Sequence, residues 1–160
     1  MNRRKLFEHS GLAALALGLG LRPSLAETFA ITRSNDAWKK ILTREQFAVL
    51  REESTERAGT SVLLEEHRKG TYACAACDLP LYSSAAKYES GTGWPSFFDV
   101  LPGAIGKTED NTLFTTRTEV HCRRCGSHLG HVFDDGLEPT GLRYCMNGVA
   151  LTFHPAAAST

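Results

Sequence analysis

Two cysteine pairs place the strongest constraint on the fold of this 160-residue chain: Cys74 with Cys77, and Cys122 with Cys125. Each C-x-x-C pair in a tight turn can present two thiolates to one ion, and four thiolates complete the closed tetrahedral shell that structural zinc prefers. The pairs are far apart in the sequence, so one Zn²⁺ per chain would close a long loop and contribute to folding. Because four sulfur ligands leave no coordination position for a substrate, we expect a structural ion.

Two other roles remain open for these pairs. In an oxidising compartment they can form two disulfides. A redox-active C-x-x-C is less favoured, since neither pair opens a helix within a β-α-β pattern. The total of five cysteines is odd and too low for a disulfide scaffold, which favours a metal site plus one separate thiol.

The fifth cysteine, Cys145, has no partner in either pair and lies in a strand-like run of β-branched, aromatic and aliphatic residues. Arg143 lies two positions before it, so both side chains project from the same face of an extended segment. A nearby guanidinium favours the thiolate, which is the nucleophilic form. A free cysteine is also among the residues most often buried as a small hydrophobe. This segment alone leaves both interpretations open.

The first 26 residues resemble an export signal. A charged start, Arg3-Arg4-Lys5, precedes an apolar run at 11–21 that is too short for an ordinary transmembrane helix. Ser24-Leu25-Ala26 fits a signal-peptidase site, and the arginine pair is similar to a twin-arginine signal. We expect export to the bacterial periplasm by the twin-arginine or general secretory route, with residues 27–34 as a linker. An uncleaved anchoring helix is the alternative.

Residues 35 to about 69 show the apolar spacing of helices. Ser34 or Asn35 can cap a first helix, and Thr43 with Gln46 predicts a capping box for a second one that ends at Gly59. Several charged positions are interpreted as a solvated helix face: Glu52, Glu53, Glu56 and Arg57. We expect this region to contribute packing and no chemistry.

From Gly70 onward, short runs of strand-forming residues alternate with turns rich in glycine and proline, which predicts antiparallel β structure. The folded domain is expected over residues 35–154, followed by a tail at 155–160. A chain of this length can bury a core as one domain.

The formal net charge of +0 and the lack of a long basic run predict no nucleic-acid partner. We expect a monomer that binds small molecules or exposed peptide.

A loop with two histidines follows the second cysteine pair and leads toward Cys145. His128 and His131 can serve as acid, base or ligand, and a thiol with a neighbouring imidazole is the usual arrangement for cysteine chemistry. Asp135 can orient one imidazole, although Asp134-Asp135-Gly136 is equally typical of a plain turn.

Two further side chains have both a functional and a structural interpretation. Trp94, between glycines and a proline, can form an aromatic wall for a small apolar group or a core contact held by a turn. Asn147, two positions after the thiol, can donate to a substrate oxygen or belong to an Asn-Gly turn.

The residues also leave open two other functions for the protein. One is a zinc-ribbon-like binding module, with Cys145 as a buried side chain, and the other is a thiol hydrolase that would need an oxyanion hole.

Taken together, these residues resemble the methionine-R-sulfoxide reductase B family over residues 35–153. Four motifs carry the resemblance: Cys74-x-x-Cys77, residues 88–97, residues 114–136 and residues 139–147. It implies a mainly β fold of two twisted antiparallel sheets (a β-tent), with N-terminal helices and a structural zinc. It also implies reduction of methionine R-sulfoxide, free or in oxidised proteins and peptides.

The resemblance implies a role for each candidate site residue. Cys145 matches the nucleophile and Arg143 the arginine beside it, while Trp94 matches the aromatic residue that receives the substrate methyl group. The polar site residues are matched by His128, His131 and Asn147. We expect the imidazole of His131, with Asn147, to polarise or protonate the sulfoxide oxygen while the Cys145 thiolate attacks sulfur and becomes a sulfenic acid.

One position departs from the family pattern. Many members have a resolving cysteine where this chain has Thr92. If four thiols hold zinc, no free thiol remains to form an intramolecular disulfide with Cys145. We therefore expect thioredoxin or a similar external thiol to reduce the sulfenic acid directly.

Overall fold

The computed structural model describes residues 27–112 and 115–157. The predicted export signal at residues 1–26 lies outside the described residues. None of the helices in the described ranges has the length and hydropathy that a bilayer crossing requires. The helices are α1 (Asn35–Lys39) and α2 (Arg44–Glu52), with short 3-10 turns at Val62–Glu65, Ser84–Ala86 and Gly148–Ala150.

Nine strands form the two sheets of the described fold. They are β1 (Gly70–Cys74), β2 (Pro80–Ser83), β3 (Lys87–Tyr88), β4 (Ser96–Phe97), β5 (Ile105–Asp110), β6 (Arg117–Cys122), β7 (His128–Leu137), β8 (Leu142–Met146) and β9 (Leu151–Pro155). One sheet has the order β2-β1-β9 and the other β3-β4-β8-β7-β6-β5. Every pairing is antiparallel, so the predicted two-sheet, mainly β fold is confirmed.

Buried aromatic side chains join the two sheets. The ring of Tyr82 on β2 stacks on Phe97 on β4 at a centroid distance of 4.3 Å, and Tyr72 on β1 meets Phe97 edge-on at 5.0 Å. The Tyr82 hydroxyl donates to Met146 Sδ at 2.9 Å, directly after Cys145 on β8. Burial of one such side chain contributes roughly 1.5–3 kcal/mol. The small sheet therefore supports the strand that carries the separate thiol.

The helical region is shorter than its apolar spacing predicts. The predicted caps are confirmed: the Ser34 side chain caps α1, and Thr43 with Gln46 forms the capping box of α2. The prediction that helix continues to Gly59 is wrong, because Glu53 adopts a left-handed conformation (φ 55°) that ends α2. The chain then turns back toward β8 without helical structure.

Residues 27–34, predicted as a linker, contain neither helix nor strand but contact the second cysteine turn. Glu27 Oε2 lies 2.9 Å from His121 Nε2, and the Ile31 backbone N–H donates to the Arg124 carbonyl at 3.0 Å. This segment is therefore attached to the domain along its length.

Candidate active site and four-cysteine cluster

The two C-x-x-C pairs meet at one end of the fold. The four sulfur atoms lie within 4.8 Å of one another, with Cys74 Sγ 3.8 Å from Cys125 Sγ and Cys77 Sγ 3.5 Å from Cys122 Sγ. A tetrahedral zinc with Zn–S bonds of about 2.3 Å would hold its sulfurs about 3.8 Å apart, so the cluster fits a metal ion. All five cysteines are free, and the structure does not support the alternative of two disulfides.

Each cysteine turn has a backbone geometry that points both thiols inward. The Asp78 N–H donates to the Cys74 carbonyl at 2.7 Å, and the Gly126 N–H donates to the Cys122 carbonyl at 2.8 Å. Both donors have positive φ values, 58° for Asp78 and 65° for Gly126. The glycine suits this conformation because it lacks a Cβ. The cluster thus links the end of β1 to the end of β6.

Cys145 lies on β8, which runs between β4 and β7 in the larger sheet. It is opposite Ser96 on β4 and opposite His131 on β7. Directly opposed side chains on antiparallel strands lie about 5 Å apart. The half-buried Cys145 therefore has an imidazole on one side and a hydroxyl on the other.

A small cavity of about 120 Å³ opens beside the Cys145 thiol. Its wall is formed by Thr55, Trp94, Arg117, Gly130, His131, Phe133, Cys145 and Asn147. Four of the predicted site residues thus share one cavity. His128 does not line it but lies in an adjoining cavity of about 230 Å³ that shares Thr55, Arg117 and His131. Arg143 lies beside the thiol, outside the wall of the first cavity.

The Arg143 guanidinium has an acidic partner, Asp135. Arg143 Nε and Nη2 each donate to Asp135, both at 2.8 Å, and the guanidinium lies 4.4 Å from the Phe133 ring centroid. Of the two roles that the sequence left open for Asp135, the structure shows neither: it is paired with Arg143, and residues 134–136 lie on β7. The carboxylate fixes the guanidinium, because the turn between β7 and β8 brings the two side chains together.

Burial of Cys145 disfavours the thiolate form that the sequence predicts. It raises the pKa of the Cys145 thiol above its ordinary value, while the hydrogen bond with Thr92 and the charge of Arg143 lower it without cancelling the effect of burial. The predicted influence of Arg143 is present, but the thiol form prevails at neutral pH.

His131 is held by a carboxylate on the neighbouring hairpin. Its Nε2 lies 2.7 Å from Asp110 Oδ2, which also accepts from Arg117 Nη2 at 2.6 Å. Hydrogen bonds from Thr112 and from His131 hold the pKa of Asp110 well below its usual range. Burial lowers the pKa of His131, and the bond to Asp110 acts in the opposite direction.

The protonation state of His131 follows from these shifts. At neutral pH Asp110 is ionised and His131 is neutral. An ionised carboxylate only accepts hydrogen bonds, so Nε2 of His131 carries its proton and Nδ1 has the free lone pair. His131 is therefore poised to accept a proton at Nδ1.

His128 is buried behind His131 and is held in the same way. Its Nδ1 lies 2.8 Å from Glu119 Oε1, and its ring meets the His131 ring edge-on at a centroid distance of 5.4 Å. The hydrogen bond from His128 lowers the pKa of Glu119. Glu119 lies directly opposite His131 in the pairing of β6 with β7. The structure thus gives His128 a packing contact with the site.

The backbone of Glu56, a residue outside the predicted site, connects Trp94 to Asn147. The Trp94 Nε1–H donates to the Glu56 carbonyl at 3.0 Å, and the Glu56 N–H donates to Asn147 Oδ1 at 2.8 Å. Asn147 is buried, and its Nδ2 donates to the Leu129 carbonyl at 3.1 Å. The Glu56 carboxylate accepts from the Val149 N–H at 3.1 Å. The interpretation of Glu56 as part of a solvated helix face is wrong.

Sequence reasoning missed several residues that complete the site: Thr55, Glu56, Asp110, Arg117, Glu119 and Phe133. Phe133 could have been found, because it lies two positions after His131 on one strand and so faces the same side. Arg117 and Glu119 alternate in the same way on β6. Thr55, Glu56 and Asp110 reach the site from distant segments and leave no local signal.

The sequence of this chain is similar to a family model and to several known proteins. The family model described as SelR domain matches residues 42–155. Three relatives are named peptide methionine sulfoxide reductase MsrB. The protein of Methanosarcina barkeri is 54% identical over 78% of this chain and 88% of its own length, and that of Leifsonia xyli is 53% identical over 79% and 93%. The protein of Leptospira interrogans is 51% identical over 78% and 96%. The chain belongs to the MsrB family.

Proposed function

We propose that this enzyme reduces the R epimer of methionine sulfoxide, in oxidised peptides and proteins and as the free amino acid, to methionine. Its family membership supports reduction of methionine sulfoxide. The observation that carries the proposal is the cavity in which the Cys145 thiol, the His131 imidazole, the Trp94 ring and the Asn147 amide lie together. No other arrangement in the described residues combines a free thiol outside the four-cysteine cluster with an imidazole.

The size and lining of the cavity suit the end of a methionine sulfoxide side chain. A volume of about 120 Å³ accepts a methyl group and an S=O group but leaves the rest of the substrate outside. Trp94 and Phe133 offer apolar contact for the methyl group, and Asn147 and His131 offer polar contact for the oxygen. Only one epimer places methyl, oxygen and the peptide arm correctly at the same time.

The reaction needs one proton and two electrons, both of which the thiol supplies. The Cys145 thiol transfers its proton to His131, our first choice for the acid–base group, and the resulting thiolate attacks the substrate sulfur as the proton reaches the sulfoxide oxygen. The attack forms an S–S bond between Cys145 and the substrate sulfur. The hydroxyl group then passes from the substrate sulfur to the Cys145 sulfur. The substrate S–O bond and the S–S bond break, an S–O bond forms at Cys145, and the additional electron pair stays on the methionine sulfur. Methionine leaves, and Cys145 becomes a sulfenic acid.

An external thiol then regenerates the enzyme. One thiol of the reductant condenses with the sulfenic acid, which releases water and forms a mixed disulfide. A second thiol of the reductant then attacks this bond, which closes a disulfide in the reductant and frees the Cys145 thiol. A protein dithiol of the thioredoxin type supplies both. This step is proposed because the other four cysteines form the cluster and Thr92 lies beside Cys145.

We propose zinc as the occupant of the four-cysteine cluster. Cys74, Cys77, Cys122 and Cys125 supply four soft sulfur donors at separations that fit a tetrahedral ion. When bound, the ion would fix the end of β1 to the end of β6, and these residues take no part in sulfoxide chemistry.

We also propose export of the enzyme to the periplasm as a monomer. The support is the charged start and apolar run of the sequence. A cut before Glu27 would leave its contact with His121 in place. Terminal sequencing of the protein from a periplasmic extract should begin at Glu27, and a full-length chain confined to the cytoplasm would contradict export.

The reaction is tested by turnover of each epimer with dithiothreitol as reductant, with methionine measured by chromatography. We expect the enzyme to consume methionine R-sulfoxide and to leave the S epimer unchanged. Cys145→Ser should lose turnover but keep its fold and metal. Full activity of Cys145→Ser, or equal use of both epimers, would contradict the proposal.

A further inference from the structure

Three hydroxyl groups form a chain that ends at the Cys145 sulfur. Thr92 Oγ1 lies 3.8 Å from Cys145 Sγ and 2.9 Å from Ser90 Oγ. Ser90 Oγ lies 2.7 Å from Ser96 Oγ, which donates to the Trp94 carbonyl at 3.1 Å. The far end of the chain is therefore a group that only accepts hydrogen bonds.

The loop backbone sets this arrangement. Gly91 and Gly93, on either side of Thr92, have φ values of 71° and 87°, in the left-handed region that favours glycine. Their geometry turns the Thr92 hydroxyl back toward β8. Ser96 is fully buried and directly opposite Cys145 in the strand pairing. The contact between Thr92 and the thiol is thus built by the turn and the sheet together.

Each hydroxyl has one proton, so there are only two directions in which all three hydroxyls donate along the chain. In the first, Ser96 donates to Trp94, Ser90 to Ser96, and Thr92 to Ser90, and the Cys145 S–H donates to Thr92 Oγ1. Every donor is then used, and the neutral thiol is satisfied. This direction matches the bond that Ser96 makes to the Trp94 carbonyl.

In the second direction, all three hydroxyls rotate. Thr92 donates to the Cys145 sulfur, Ser90 to Thr92, and Ser96 to Ser90, and the Trp94 carbonyl loses its donor. A sulfur that has lost its proton can only accept, so Thr92 can donate to the thiolate only in this second direction. Side-chain hydrogen bonds from Arg143 and Ser96 also lower the pKa of Cys145, with smaller effects than the bond from Thr92. A hydrogen bond to an ionised acceptor is stronger than one between neutral groups, which favours the rotation once the thiol ionises.

We propose that Thr92 stabilises the Cys145 thiolate through this hydroxyl chain, and that Ser90 positions Thr92 for that purpose. Thr92 would thus influence the ionisation of the proposed nucleophile. The inference rests on the proposed role of Cys145. It does not depend on which sulfoxide the enzyme reduces.

The charged and titratable groups near the sulfur act separately from the hydroxyl chain. Arg143 lowers the pKa of Cys145 but is itself paired with Asp135. His131 faces the thiol from β7, and the pKa of Tyr88 on β3 is raised by burial. None of these groups changes when the Thr92 hydroxyl is removed, so a Thr92 variant isolates the contribution of the chain.

The test measures alkylation of Cys145 by iodoacetamide as a function of pH in the zinc-loaded protein, with the modified residue identified by mass spectrometry. Only the thiolate reacts, so the midpoint of the rate profile reports the thiol pKa. Thr92→Val keeps the side-chain shape and removes the hydroxyl, whereas Thr92→Ser keeps the hydroxyl. Ser90→Ala leaves Thr92 without its partner. Thr152→Val removes an exposed hydroxyl on β9 and serves as the matched control.

We expect Thr92→Val to raise the midpoint by about 1 pH unit, which slows alkylation roughly tenfold at neutral pH. Ser90→Ala should raise it by a smaller amount, and Thr92→Ser and Thr152→Val should leave it unchanged. An unchanged midpoint in Thr92→Val would overturn the inference. If Thr92→Val loses its fold or metal, an unchanged midpoint in Ser90→Ala overturns it instead. Because alkylation requires no sulfoxide, the result is independent of the proposed reaction.

Discussion

The Glu56 side chain is expected to hold the cavity beside Cys145 in shape, although it does not line that cavity. Its carboxylate accepts from the Val149 N–H at 3.1 Å, while its backbone accepts from Trp94 and donates to Asn147. A hydrogen bond to a charged group contributes about 1.5–3 kcal/mol, and partial exposure of Glu56 lowers this contribution. We expect Glu56→Ala to reduce the free energy of unfolding by about 1–2 kcal/mol.

The same change should reduce catalysis, because movement of the Glu56 backbone displaces the contacts of both Trp94 and Asn147. We expect kcat/KM for methionine R-sulfoxide to fall about tenfold, which corresponds to about 1.4 kcal/mol in the barrier. Urea unfolding gives the first quantity and steady-state turnover gives the second. Glu52→Ala, an exposed change at the end of α2, is the matched control and should stay within about 0.5 kcal/mol of the original protein. A Glu56→Ala protein equal to this control in both measurements would refute the reasoning.

Three further predictions concern the histidine, the metal and the thiol. Asp110→Asn removes the carboxylate that raises the pKa of His131. The limb of the pH–rate profile governed by His131 should therefore move to lower pH, and kcat/KM should fall about tenfold or more. A limb that does not move would contradict the assignment of His131 as the acid–base group. Removal of the metal by a chelator, or Cys122→Ser, should strongly lower the Tm measured by circular dichroism, since structural zinc contributes on the order of 10 kcal/mol in small domains; an unchanged Tm contradicts a structural ion. In Thr92→Cys, whose new thiol would lie near Cys145, substrate should produce an internal disulfide visible by mass; persistence of the sulfenic acid would contradict the geometry.

Features encoded by short patterns were predictable from the sequence. Each C-x-x-C pair carries its ligand chemistry within four residues, so the spacing alone predicts that Cys74 and its three partners form one cluster. The capping box of Thr43 and Gln46 is equally local. The alternation of short strands and turns predicted the antiparallel sheets, because pairing follows from strand spacing.

The remaining features depend on contacts that no local pattern specifies. Glu53 ends α2 in a left-handed conformation without the glycine that usually signals it, so the helix was predicted too long and Glu56 was assigned to solvent. The bond between Asp110 on β5 and His131 on β7 spans the intervening strand β6. The pKa of Cys145 is set mainly by burial, and burial is known only once the chain has folded.

The most direct test of the account is the intact mass of the zinc-loaded enzyme after exposure to each methionine sulfoxide epimer, without reductant and with a sulfenic-acid trap present. We expect one trapped adduct, located on Cys145, with the R epimer and none with the S epimer, together with an equal amount of methionine. An enzyme that yields neither adduct nor methionine with the R epimer would contradict the assignment of Cys145 as the nucleophile. An internal disulfide that includes Cys145 would contradict regeneration by an external thiol.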